Sequence, residues 1–196
     1  MLTGRRIGFA VCASHHNLSR VMEAVGRLVE SGSDVYPIVS HSVATTATVH
    51  GTPAQWLEAL ERVTGRRPWR SIPEVEPIGP RRLLDALVIA PCTGTTMAKL
   101  ANGFSDSAVL MAAKAVLRNQ RPVVLAISTN DGLGINARNL ATLLNTKNVY
   151  FVPFGQDNPE EKPNSLTSSF GLIPAALEAA LAGKQLQPLL VAAGGM

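Results

Sequence analysis

The chain has 196 residues, of which 46% are hydrophobic, 16% charged and 5% aromatic, with 16 glycines; this fits one compact core and excludes a disordered chain. Its formal charge of +4 comes from basic residues scattered in pairs such as Arg5-Arg6, Arg66-Arg67 and Arg81-Arg82. Without the aromatic interleaving that base recognition needs, these read as solvated surface, and nucleic acid is not expected as a partner.

From the amino terminus, Arg6 to Val11 reads as a first strand. Arg5-Arg6 ahead of Ile7 to Ala13 imitates a signal peptide, but the apolar segment is at the short end of the range and runs into His15-His16, so a strand is the better reading. The polar turn Ala13-Ser14-His15-His16-Asn17 leads to a helix with Val21, Val25, Leu28 and Val29 on one face, stopped by Gly32. Val35 to Val39 forms a second strand, followed by a Ser- and Thr-rich loop from Ser40 to Thr46. A helix then opens at Thr52-Pro53-Ala54-Gln55, where Thr52 caps, Pro53 suits the first helical position and Gln55 completes a capping box. Trp56, Leu57, Leu60 and Val63 supply its buried stripe, and Gly65 ends it. Residues 66–80 carry four prolines and read as a connection holding a short strand near Ser71-Ile72.

The centre of the chain is more distinctive. Six of the seven residues from Ala86 to Cys92 are apolar, the signature of a strand buried on both faces of a parallel sheet, and it is expected to stop at Pro91. Thr93, Gly94, Thr95 and Thr96 form a small hydroxylated turn before a helical pattern at Met97, Leu100 and Ala101. A nearly all-apolar helix spans about Ala108 to Asn119, and Pro122 to Ile127 is another buried strand ending in the polar turn Ser128-Thr129-Asn130-Asp131-Gly132. A helix over 136–146 leads to a last strand, Val149 to Pro153. Phe154 to Leu166 is a polar loop suited to a lid or contact role, and Phe170, Ile173, Leu177 and Leu181 mark a closing helix ended by Gly183.

This alternation predicts a single α/β domain over residues 1–196. The expected architecture is a three-layer Rossmann-like fold, with a mainly parallel, doubly wound sheet flanked by helices. The turns at Ser14, Ser40, Thr93 and Ser128 then share the carboxyl edge of the sheet, where α/β folds hold ligands. Neither G-x-G-x-x-G nor G-x-x-x-x-G-K-[ST] occurs, so phosphate would be held by hydroxyls and backbone N–H groups. His15, His16, His41 and His50 lack zinc spacing, and no metal site is expected. Cys12 and Cys92 each close an apolar run and read as reduced core thiols of a cytosolic protein. No stretch approaches the length of a membrane span. Lys99 and Asp106 are placed to form an ion pair, while His15 or His16 could donate to an anion or move a proton.

The stretch A-P-C-T-G-T-T-M-A-K-L-A-N-G-F-S-D-S, residues 90–107, resembles the central motif of the flavoprotein family that includes phosphopantothenoylcysteine decarboxylases and flavin prenyltransferases, where a P-x-[ST]-x-N-T turn contacts FMN. G-F-A-V-C-A-S-H, D-V-Y-P-I-V-S, Y-F-V-P-F-G-Q-D-N-P and G-K-Q-L-Q-P extend the resemblance over nearly all of residues 4–190. Together they resemble the branch of the family found in the two-subunit dipicolinate synthases of spore-forming bacteria.

The resemblance implies FMN as cofactor, with Ser14 and Ser40 near its phosphate, Pro91, Thr93, Gly94, Thr95 and Thr96 along the flavin, and Ser107 behind them. It implies an oxidoreductase acting on a small dicarboxylate, with NAD or NADP held by the synthase's other chain, its A subunit. A homo-oligomer in the mother-cell cytoplasm is implied as well. The alternatives are an FMN-dependent cysteine decarboxylase or flavin prenyltransferase, and a non-catalytic assembly protein. Three departures matter. Thr95 stands where the motif has Asn. Val75-Glu76-Pro77-Ile78 lacks the decarboxylases' histidine, which argues against decarboxylation. Their P-x-M-N segment becomes Ile127-Ser128-Thr129-Asn130, keeping only its Asn, so Asn130 joins His15 and His16 as a catalytic candidate.

Overall fold

The structure, a computed structural model, describes residues 1–192. Seven strands form one mixed sheet: β1 (Arg6–Val11), β2 (Asp34–Val39), β3 (Ala86–Cys92), β4 (Val123–Thr129), β5 (Val149–Phe151), β6 (Phe154–Gly155) and β7 (Leu166–Ser168). Their spatial order is β2-β1-β3-β4-β7-β6, with β5 also paired to β4. β1 to β5 pair in parallel, while β7 runs antiparallel to β4 and to β6. The expected mainly parallel, helix-flanked sheet is thus present.

Alternation along the central strands feeds two cores, because successive side chains leave opposite faces. On one face, Ile7, Phe9, Val11, Ala86 and Val88 pack with the buried stripe of α1 (Leu18–Glu30), with Leu60 of α3 (Pro53–Thr64), and with Ile173 and Leu177 of α8 (Ile173–Leu181). On the other, Ala10, Leu87 and Ile89 meet Met97 of α5 (Gly94–Ala101), the apolar flank of α6 (Ala108–Arg118) and Leu140 and Leu143 of α7 (Ala137–Leu144). Every residue of β3 is buried, as its uninterrupted apolar run requires. The capping box at Thr52 and Gln55 is present, and Gly32 and Gly65 end their helices at φ of +80° and +68°, a left-handed turn that glycine makes without Cβ strain.

Several expectations are corrected. The loop from Ser40 is a short helix, α2 (His41–Thr45), because the Ser40 hydroxyl accepts the Val43 N–H. No strand forms at Ser71-Ile72. Glu74 Oε2 instead accepts the N–H groups of Arg70 and Ser71, folding this stretch into α4 (Ile72–Val75) and a 3-10 turn over Glu76–Ile78. β3 continues through Pro91 to Cys92, and α5 starts at Gly94, so the hydroxylated turn shrinks to its cap, Thr93. Of the stripe on α3 only Leu60 is fully buried, with Trp56, Leu57 and Val63 half-buried. Ser128 and Thr129 belong to β4, paired with Thr167 and Leu166. The strand from Val149 is not the last: the polar loop begins in β6 and ends in β7, with Phe154 opposite Ser168.

The amino edge of the sheet is closed by charge. Asp85, just before β3, accepts the Arg6 backbone N–H at 2.9 Å and its Nη2 at 2.8 Å, and Arg121 Nη1 approaches the same carboxylate at 3.1 Å. Burial pushes the Asp85 carboxyl up. The Arg6 hydrogen bonds and the Arg121 charge outweigh it, leaving the group below its ordinary value.

Candidate functional site

The carboxyl edge is built differently. Where β2 and β3 end, Ser40 and Thr93 each stand in extended conformation and cap a helix, α2 and α5 respectively. Thr93 Oγ1 accepts the Thr96 N–H at 3.3 Å and pairs with Thr96 Oγ1 at 3.0 Å. Ser107 does the same for α6, accepting the Leu110 N–H at 3.3 Å. Between these caps lies a cleft of about 340 Å³, within the range of small-molecule sites. Ser40, Ser42, Thr93, Thr95, Thr96 and Ser107 give it hydroxyls, Lys99 gives it an ammonium group, and Cys12, Ala13 and Leu110 give it apolar floor.

Hydroxyl donors, one cation and the amino end of α5 favour an anion. Lys99 Nζ is 2.6 Å from Asp106 Oδ2, the ordinary pair expected from the sequence, and this contact holds the Asp106 carboxyl below its usual range. Both side chains stay accessible, so the ammonium remains available at the rim. Cys12 and Cys92 are free and buried. Burial raises the Cys12 thiol to about 11 against the bond it receives from Thr96 Oγ1 at 3.4 Å, and burial followed by the neighbouring Cys12 raises Cys92. Protonated thiols at neutral pH are not nucleophiles.

The eight residues expected at a cofactor divide. Ser40, Thr93, Thr95, Thr96 and Ser107 line the cleft; Ser14, Pro91 and Gly94 do not. The Ser14 hydroxyl pairs with that of Ser128 at 3.0 Å, and buried Asn17 donates to Ser128 at 2.9 Å, so the first and fourth turns bond to one another. Gly94 faces β4. A Cβ there would stand 2.6 Å from Thr129 Oγ1, 2.9 Å from Asn136 Nδ2 and 3.0 Å from Asp131 Oδ1, so glycine is required by close approach.

Those three polar atoms belong to a network that the pattern of the sequence does not announce. Asp131 accepts from Thr129 Oγ1 at 2.5 Å and from Asn136 Nδ2 at 2.8 Å, and Asn136 Oδ1 accepts from Asn139 at 2.8 Å. Asn136 and Asn139 are buried. Their one signal in the sequence is a pair of asparagines one helical turn apart at the start of α7, just after an aspartate.

The catalytic candidates His15, His16 and Asn130 are not among the residues that line the cleft. His15 Nε2 is buried without a partner, and burial, then the nearby His50, lowers its ring pKa, so it is neutral at neutral pH. His16 is exposed, its ring 6.5 Å from that of His50. Asn130 is exposed at the first turn after β4. Among the described residues, no group of three His, Cys, Asp or Glu side chains is arranged to hold a metal ion, and no helix is long and apolar enough to cross a membrane.

Comparison with known proteins agrees with this architecture. Residues 1–167 match the Flavoprotein family. The B subunit of dipicolinate synthase from Bacillus subtilis (strain 168) is 50% identical over 190 residues, which cover 97% of this chain and 95% of that protein. The crystal structure of the B subunit of dipicolinate synthase from Bacillus halodurans superposes with a TM-score of 0.91 at 46% identity, covering 98% of each chain. The FMN-dependent cysteine decarboxylase SpaF shares the fold, with a TM-score of 0.66 at 20% identity over 92% of this chain and 99% of that one.

Proposed function

Because the chain belongs to the flavoprotein family, we propose that it works as the B subunit of a dipicolinate synthase. In this reading the enzyme oxidises dihydrodipicolinate, or its hydroxylated precursor, to dipicolinate during sporulation. The observation that carries the proposal is the 50% identity along 97% of the chain to a protein of that name. The chain acts as one domain, residues 1–196, in a homo-oligomer in the mother-cell cytoplasm. Its partner is the synthase's A subunit, which holds NAD or NADP; that division of labour accounts for the absence of a dinucleotide fingerprint here.

FMN is the proposed cofactor, and the donor set of the cleft fits its phosphate end. The caps Ser40 and Thr93, the hydroxyl of Ser42 and the ammonium of Lys99 supply donors, and the N–H groups opening α5 supply the favourable dipole end. Thr95, Thr96 and Ser107 would lie along the flavin. When bound, FMN supplies a two-electron redox centre. Oxidation of the dihydro acid removes a proton and a hydride, for which the NAD or NADP of the A subunit is the acceptor; the hydroxylated precursor must also lose water. The chain's own part is to bind and orient the dicarboxylate, to exclude water at the apolar floor, and to receive the proton. His15, kept neutral by burial, retains the lone pair that a proton acceptor needs. His16 and Asn130 are the further candidates for contact with the acid.

The test is to co-purify the chain with its nicotinamide-binding partner, record the visible spectrum, and follow dipicolinate formation with and without this chain. Flavin bands and a rate that collapses when the chain is omitted are expected. An unchanged rate without it makes its role one of assembly alone and overturns the proposal, as does release of a decarboxylated cysteine product or a prenylated flavin.

A further inference from the structure

A second cavity, of about 440 Å³, shares no residue with the carboxyl-edge cleft. It lies between the outer side of α1 and the 3-10 turn Phe170–Leu172 that leads into α8. Arg20 and Arg27 stand on α1 seven positions apart, two turns on one face of the helix. The Arg20 guanidinium lies 5.8 Å from the centroid of the buried Phe170 ring, and Arg27 leans over Gly171, where its Nη1 would be 3.7 Å from a Cβ. Among the described residues neither guanidinium has a carboxylate within 4.0 Å, although Glu23 stands between them on the same wall.

The remaining wall is Ser169, only 5% exposed, whose hydroxyl is buried with no hydrogen-bond partner. An unsatisfied buried hydroxyl is costly, and most have an acceptor. The site therefore gathers two guanidinium forks and a partnerless hydroxyl. Against these donors it offers a single carboxylate. Guanidinium forks match carboxylate and phosphate oxygens in pairs, and the exposed edge of Leu172 beside Phe170 gives an apolar surface next to them.

We infer that this cavity is a second ligand site, which takes a small oxyanion, a carboxylate or phosphate group, between Arg20 and Arg27, with Ser169 donating to the same oxygens. The inference does not depend on what occupies the carboxyl-edge cleft.

Calorimetric titration of the full chain with pyridine-2,6-dicarboxylate and, separately, inorganic phosphate tests it. Tighter binding of the dicarboxylate identifies a carboxylate carried on a flat apolar body as the natural form; equal or tighter binding of phosphate identifies a phosphate group. In either case Arg27→Gln is expected to weaken the event roughly tenfold, the size of one charge-assisted hydrogen bond, and Glu23→Gln to tighten it. Ser169→Ala removes a hydroxyl that bonds to nothing in the ligand-free protein, so it should weaken binding several-fold while leaving the unfolding midpoint unchanged or raised. Ser40→Ala, in the other cleft, should leave this event intact. No binding of either anion at millimolar concentration, or affinities that Arg27→Gln and Ser169→Ala leave within a factor of two, would overturn the inference.

Discussion

The two ends of the parallel sheet solve the same problem in opposite ways. At the amino edge, strand ends are tied by a charged cluster, Arg6, Asp85 and Arg121, in which one carboxylate is shared by two guanidinium groups. At the carboxyl edge hydroxyl groups cap the helices and leave a cleft between α2, α5 and α6, whose ion pair, Lys99 and Asp106, stays accessible at the rim instead of tying strand ends together. Free N–H groups and helix dipoles converge only at the carboxyl edge, so a charged clamp there would compete with any anion. Stability and binding are thereby separated, and substitutions at the two ends should separate them too.

The largest effect is expected at the amino edge. Asp85→Ala leaves two guanidinium groups without their shared carboxylate and should cost roughly 3 kcal/mol in urea unfolding, with flavin affinity unchanged within a factor of two. A parallel loss of affinity would break the separation. The same group sets an acid limit. Its pKa is lowered from an ordinary 3.8, so its contribution is complete above that value and is lost as pH falls through the lower, folded value. Asp85→Asn should flatten that part of the stability profile.

Next comes Gly94→Ala, where the comparison is sharpest because packing and site meet. The added methyl must displace Thr129, Asn136 or Asp131, which hold each other by hydrogen bonds. A loss of about 2 kcal/mol is expected, together with loss of flavin retention on gel filtration, since α5 carries Thr95 and Thr96 of the cleft lining just behind the Thr93 cap. Retained flavin at reduced stability would show that α5 can shift without harm to the cleft.

The different legibility of these regions has a physical cause. Core strands and helix caps depend on local pattern, and β1, the Thr52 capping box and the Gly65 stop stand where the sequence puts them. The antiparallel pair β6 and β7 is not legible, because strands of two and three residues are too short for alternation to register and are held by pairing across the loop. For the same reason Ser128 reads as a turn residue while being a ladder residue. The site is legible in part: Thr93 and Ser107 stand just ahead of helical patterns and cap them, as residue type suggests, whereas Ser40 reads as opening a loop and caps a helix too short for a period to register. That Ser14 bonds to Ser128, and that Asn136 stands against Gly94 with Asn139 behind it, follows from β1 and β4 flanking β3, a non-local fact. The four turns do share one edge, but two of them close on each other and leave the cleft to the other two.

Smaller effects are expected from the caps themselves. Ser40→Ala and Thr93→Ala should each cost about 1 kcal/mol, the usual worth of a cap, and weaken flavin roughly tenfold by fluorescence titration. A stability loss with unaltered affinity would assign these hydroxyls to helix starts alone.

Thr95→Ala should change stability least of all, by less than about 0.5 kcal/mol, because Thr95 is exposed within the first turn of α5 and caps nothing. It nevertheless lines the cleft at the position where the resemblance expects asparagine. If that hydroxyl contacts the flavin, its removal weakens binding several-fold while the unfolding curve stays in place. Thr95→Asn then restores or exceeds the original affinity, because a side-chain amide both donates and accepts at longer reach. Affinities that neither change moves would place the flavin ring away from the start of α5, and would confine this edge of the sheet to holding the phosphate.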